Sequence, residues 1–90
     1  MGNKIGHVTY TYLNRPGCRV TLEVSALSDS YRCHIHINGA PTRAARRRTL
    51  AGSLRWGLDT AEWQVELLGF EPPRPTLELV YDEVEATLAA

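Results

Sequence analysis

Two groups of side chains in this sequence have the types and spacing for chemistry. One is His34 and His36, two apart in Tyr31–Ile37, and the other is Arg43, Arg46, Arg47 and Arg48. A His-x-His pair on a strand turns both rings to one side, where they could share a metal ion, with Glu23 of a neighbouring strand as third ligand. That third ligand is not evident in the sequence, so the face is expected to hold no metal. A metal-dependent enzyme built on His34 and His36 therefore stands behind two binding functions.

Nucleophilic chemistry finds less support. Cys33 lies in an apolar alternation and Cys18 beside Pro16–Gly17. Two such cysteines do not make a disulfide framework, and both are expected as free thiols. There is no Gly-rich phosphate loop, CxxC or HExxH motif, and no Ser or Cys has a His and an acid evidently in reach. The expectation is a protein without a cofactor or catalytic activity.

The arginines need a different reason. Residues 1–58 carry nine basic residues against Glu23 and Asp29. Residues 59–90 carry Arg74 against eight acids, so surpluses of seven opposite charges cancel to zero overall. Arg43, Arg46, Arg47 and Arg48 sit at the densest point of the basic part. Guanidinium forks suit carboxylates and phosphates, and Arg and Trp are enriched at binding hot spots. The expected partner-binding set is Arg43, Arg46, Arg47, Arg48, Arg55 and Trp56. A sequence pI near 6.8 and eight carboxylates in the acidic part argue against a dedicated nucleic-acid binder.

Positioning these residues falls to elements read from periodicity. His7–Leu13, Arg19–Ala26 and Tyr31–Ile37 alternate apolar and polar residues, and Asn14–Gly17 and Ser28–Ser30 turn the chain between them. The alternation predicts a three-stranded antiparallel meander. Val8, Tyr10, Tyr12, Val20, Leu22, Val24, Tyr31, Cys33, Ile35 and Ile37 would form its covered face. Thr42 is expected to cap a helix running to Leu58, with Leu50, Ala51, Leu54 and Leu58 against the sheet and Trp56 on the far side. Asp59–Phe70 could begin a second helix capped at Asp59 or Thr60, but Trp63, Val65 and Leu67 alternate with Gln64 and Glu66, which favours a strand over 60–69. Thr76–Tyr81 alternates again, so one or two further strands are expected. Glu71–Pro75 reads as a stiff connector and Asp82–Ala90 as an acidic tail of one or two frayed helical turns.

The expected fold is thus one α+β domain spanning residues 1–90, in the order β-β-β-α-β-β. A meander followed by a helix and a strand is similar to part of the ribonuclease-H-like folds, whose nucleases hold metal ions on carboxylates of the first strand and helix. Thr9, Tyr10, Thr11 and the acid-free stretch 42–58 cannot do so.

At 43% hydrophobic residues, and with no apolar run near the roughly 18–20 needed to cross a bilayer, the chain is expected to be soluble and cytoplasmic. Met1–His7 holds no apolar core of signal-peptide length. The expected function is a small protein-binding module, an adaptor or inhibitor that occupies an acidic partner surface or joins a nucleoprotein complex. A homodimer is expected too, because a domain this small buries a modest core. The alternative is a nucleic-acid-binding domain using Arg43–Arg48 and the polar sheet face.

Overall fold

In the computed structural model, residues 4–71 and 74–89 are described. The first three predicted strands are present as β1 (Lys4–Arg15), β2 (Cys18–Leu27) and β3 (Tyr31–Ile37). Pro16–Gly17 closes the first hairpin, with Gly17 at φ 82°, the positive angle a type II turn requires at its second central residue. Val8 lies across from Val24, Tyr10 from Leu22 and Leu13 from Val20, so one face gathers the apolar residues. A register shift between Thr11 and Leu13 leaves Tyr12 unpaired and brings Leu13 into the core.

The chain then departs from the expected order. Ala40–Arg47 is not the start of a helix but a fourth strand, β4, and the sheet order is β1-β2-β3-β4, antiparallel throughout. Asn38 and Gly39 both have positive φ, 54° and 83°, which is the backbone of a two-residue hairpin turn. Asn38 also ties two turns together. Its Nδ2 donates to Gly17 O at 3.1 Å and its Oδ1 accepts from the Arg19 N–H at 2.8 Å. Replacing Asn38 by Ala should cost about 1–2 kcal/mol, from two lost hydrogen bonds and a strained left-handed residue. Asn38→Gly should recover the backbone part alone. Chemical denaturation checks both.

Helix α1 (Leu50–Leu67) begins where β4 ends, capped by Thr49 rather than Thr42: Thr49 Oγ1 accepts from the Gly52 N–H at 3.0 Å. The helix does not stop at Leu58. Leu50, Leu54, Leu58, Ala61 and Val65 recur every three or four residues and are buried, whereas Ala51 is exposed. The strand expected over 60–69 is therefore the second half of α1. It ends at Gly69 (φ 86°), where Gly69 N–H donates to Glu66 O and Phe70 N–H to Val65 O, the paired bonds of a Schellman end.

The last expected strand is also a helix. In α2 (Leu77–Ala89), Val80 and Val84 are buried one turn apart, and Thr76 Oγ1 accepts from the Leu79 N–H at 3.2 Å. Much of the expected acidic tail thus belongs to a helix. Of the expected connector, residues 72 and 73 lie outside the described residues, as do residue 90 of the tail and residues 1–3 of the opening segment.

The protein is a four-stranded antiparallel sheet followed by two helices, an α+β arrangement but not β-β-β-α-β-β. α1 packs mainly on β3 and β4, while α2 packs on β1 and on α1. Both helices meet the apolar face. Gly57 makes the closest approach, with no room for a side chain between α1 and the Cys33 Sγ.

Candidate functional site

β4 is the last strand of the sheet, and alternation divides its arginines between two faces. Arg43 lies across from Ile35 and Arg47 from Tyr31, on the side the helices cover. Arg46 lies across from Arg32, on the open side. α1 presents Trp56 and Trp63, two turns apart, toward the covered side of β4. The Arg47 guanidinium carbon stands 5.8 Å from the Trp56 ring centroid, and that of Arg43 stands 5.5 Å from Trp63. Each cation is held over a ring face, an interaction of about 0.5–1 kcal/mol at exposed sites. Trp56 is half-buried against the core rather than directed away from it.

No carboxylate of the acidic part forms an ion pair with this strand among the described residues, although Asp59 lines a hollow beside Arg43 and Trp63. Among the described residues, the ion pairs outside the open sheet face join Arg74 to Asp59 (2.6 Å) and to Glu62 (3.7 Å), and none involves Arg43, Arg46, Arg47, Arg48 or Arg55. α2, with Glu78, Asp82, Glu83 and Glu85, packs by β1 at the other side of the sheet. The charge division along the chain is therefore only partly one in space: α2 carries its acids beside β1, whereas Asp59 of α1 lines a hollow with Arg43 and Trp63. Arg48 follows the strand and is exposed; Arg55 is exposed on α1, and among the described residues it takes part in no ion pair or cation–π pair with the two stacks.

Arg46 and Arg32 directly oppose one another, which costs about 0.2–1 kcal/mol for like charges across a strand pair. Arg46→Gln is accordingly expected to leave the melting temperature unchanged or raise it by a few degrees. A clear fall would reveal an internal partner for Arg46.

Three residues the sequence did not assign to a site adjoin this edge. Trp63, Leu67 and Leu68 are 50%, 67% and 52% exposed. With Ile37, Asn38, Thr42 and Gln64 they line a hollow of about 380 Å³ beside the start of β4. Thr42 Oγ1 donates to Gln64 Oε1 at 2.9 Å across its floor. Exposed apolar residues at the end of a helix were the available signal, hidden by reading that segment as a strand.

The open sheet face has different chemistry. His7, His34 and His36 each bring a ring nitrogen to 3.8–3.9 Å from a Glu23 carboxylate oxygen. His34 and His36 do share a face with Glu23, as their spacing implied, and His7 of β1 joins them. Yet among the described residues no group of three such side chains is placed to hold a metal ion. Thr9, Thr11, Thr21 and Arg19 complete the face with Asn14 around a shallow depression, and its lining contains no Phe, Tyr or Trp.

Both cysteines are buried and unpaired. Burial pushes the Cys33 thiol up to about 12, so it stays protonated at neutral pH and is a poor nucleophile. Burial likewise pushes the Tyr12 hydroxyl up to about 12, against the opposing pull of Arg74. No protein-family model, no curated protein and no solved structure matches the chain. Among the described residues, no helix is long and apolar enough to cross a membrane.

Proposed function

We propose that this domain is a small non-catalytic protein-binding module, an adaptor or inhibitor that occupies an acidic partner surface with its basic edge. One observation carries this reading. Four arginines gather on and just after an edge strand, two are held over tryptophan rings, and none is paired with the protein's own carboxylates among the described residues. Cations fixed in place but not neutralised are ready for a partner, and stacking lowers the ordering cost of binding.

A nucleic-acid partner is the second reading, because Arg19, Arg32 and Arg46 accompany the polar sheet face. Single-stranded nucleic acid is bound largely by stacking bases on aromatic rings, and the depression on that face is lined by the imidazole of His36 but by no Phe, Tyr or Trp.

Fluorescence anisotropy with labelled polyglutamate and with labelled single-stranded oligonucleotides, at low and near-physiological salt, separates the two. Polyglutamate is expected to bind more tightly at both salts, and the reverse order would establish the nucleic-acid reading. The same charge pattern carries the expected self-association, through the basic edge of one copy and the acidic helix of another. Light scattering should then show dimers at low ionic strength that dissociate as salt rises.

A further inference from the structure

We infer that the partner segment binds as an added β-strand along the outer edge of β4, as an extended acidic peptide with a bulky apolar residue at one end. This rests on the protein-binding reading above and specifies its mode. β4 ends the sheet, and no described strand pairs with its outer side. Nor, among the described residues, does any backbone hydrogen bond reach Ala40–Arg47 from outside the sheet. One β4 carbonyl is already occupied, since the Arg47 guanidinium donates to Arg46 O at 2.9 Å. An edge strand whose other outward backbone groups lack strand partners is a template for another strand. Pro41, without an N–H, sits in β4 beside the turn, a position that an edge strand tolerates.

Charge selects which strand can add. Arg43 and Arg47 lie on the helix-covered face and Arg46 on the other, so an added strand meets cations on both of its faces. Carboxylates spaced as Arg43 and Arg47 are would sit across from them. A second copy of β4 is disfavoured at the same place. Two copies laid antiparallel about Ala45 would bring Arg43 of each against Arg47 of the other, a like-charge pairing that natural edges use to prevent self-association.

The apolar end is placed by the hollow of Trp63, Leu67 and Leu68, which opens beside Thr42 on the covered side. An antiparallel partner passes Arg47 first, then Arg43, then this hollow. Its pattern is therefore two acidic residues followed toward the C-terminus by a large apolar one.

The test uses synthetic peptides of roughly eight residues, alternating Glu and Thr and ending in Phe. Calorimetric titration of the intact protein compares the parent with three relatives. One is N-methylated on the alternate nitrogens that would face β4, one on the other nitrogens, and one has the Phe replaced by Gly. The parent is expected to bind. The first methylated peptide should lose at least tenfold in affinity, the second less than threefold, and the Gly peptide about fivefold to tenfold. Equal affinity of the two methylated peptides would overturn strand addition while leaving the acidic-partner function standing. So would binding of polyglutamate without binding of the parent peptide. If neither peptide nor polyglutamate binds, the function itself fails together with its mode.

Discussion

Changing Arg43 and Arg47 together to Glu should weaken binding of an acidic partner by at least a hundredfold. Each substitution removes a charge-assisted contact and adds a repulsive one. A hundredfold loss corresponds to about 2.7 kcal/mol, and hydrogen bonds to charged groups contribute roughly 1.5–3 kcal/mol each. Both guanidinium groups are already held over rings, Arg43 over Trp63 and Arg47 over Trp56, so the wild-type side chains lose little freedom on binding. The control is Lys4→Glu with Arg15→Glu, the two ends of β1, at the opposite edge of the sheet. It changes net charge equally but lies away from β4. Only a few-fold effect is expected there, mostly through long-range attraction that salt screens. Equal losses in the two double variants would mean that net charge, not the edge, drives binding. The gentler pair Arg43→Lys and Arg47→Lys keeps charge and loses the planar fork, so it should fall between wild type and the reversal.

The largest effect on stability is expected at Gly57. Even one carbon added there would stand 2.8 Å from Cys33 Sγ and 3.4 Å from Leu22 Cδ2, both in the fully buried layer between α1 and the sheet. Gly57→Val adds a branched side chain and should destabilise by about 3 kcal/mol. For a domain of this size that lowers the melting temperature by roughly 12–24 °C. Gly57→Ala is a finer test, since alanine favours a helix over glycine by about 1 kcal/mol. In wild type the clash should exceed that gain; with Cys33→Ala also present the sulfur is gone, and Gly57→Ala should become stabilising. A stabilising Gly57→Ala already in the wild-type background would show that α1 and β3 pack less closely than the geometry implies, whereas destabilisation in both would place the obstruction at Leu22 rather than at the sulfur.

How far the sequence carried depends on where each residue's neighbours lie. β1, β2 and β3 were legible because one face of each is core, so Val20, Leu22 and Val24 alternate visibly with Thr21 and Glu23. β4 lacks that signal. As an edge strand its covered positions are Arg43, Ala45 and Arg47, and without apolar alternation the Ala/Arg composition reads as helical. The cue to β4 in the sequence is Asn38–Gly39, a strong hairpin signal. In the second half of α1, Trp63 and Leu67 are exposed and Val65 buried, so their alternation with Gln64 and Glu66 marked no buried strand face. Ala61 and Val65 continue the helical stripe from Leu58, and Gly69 stands where a helix end wants glycine. Similarly, Thr76–Tyr81 alternates, yet Val80 and Val84 are the buried pair of a helix.

The candidate site was half legible for related reasons. The arginine cluster was visible as an unbalanced charge, and positions 43 and 47 share a side on a helix and on a strand alike. Its stacking on Trp63 was not visible, because that residue belonged to a segment assigned to the wrong element. Arg55 carried the right charge, but among the described residues no ion pair or cation–π pair joins it to the stacks.

The most direct test of the basic edge is a two-dimensional amide NMR titration of the isotope-labelled protein with the acidic Glu/Thr peptide ending in Phe. Shift changes are expected to concentrate on Ala40–Arg48 and on the indole N–H groups of Trp56 and Trp63, with Leu67 and Leu68 following. Changes centred instead on Thr9, Thr21, His34 and His36, or on α2, would contradict a binding edge at β4.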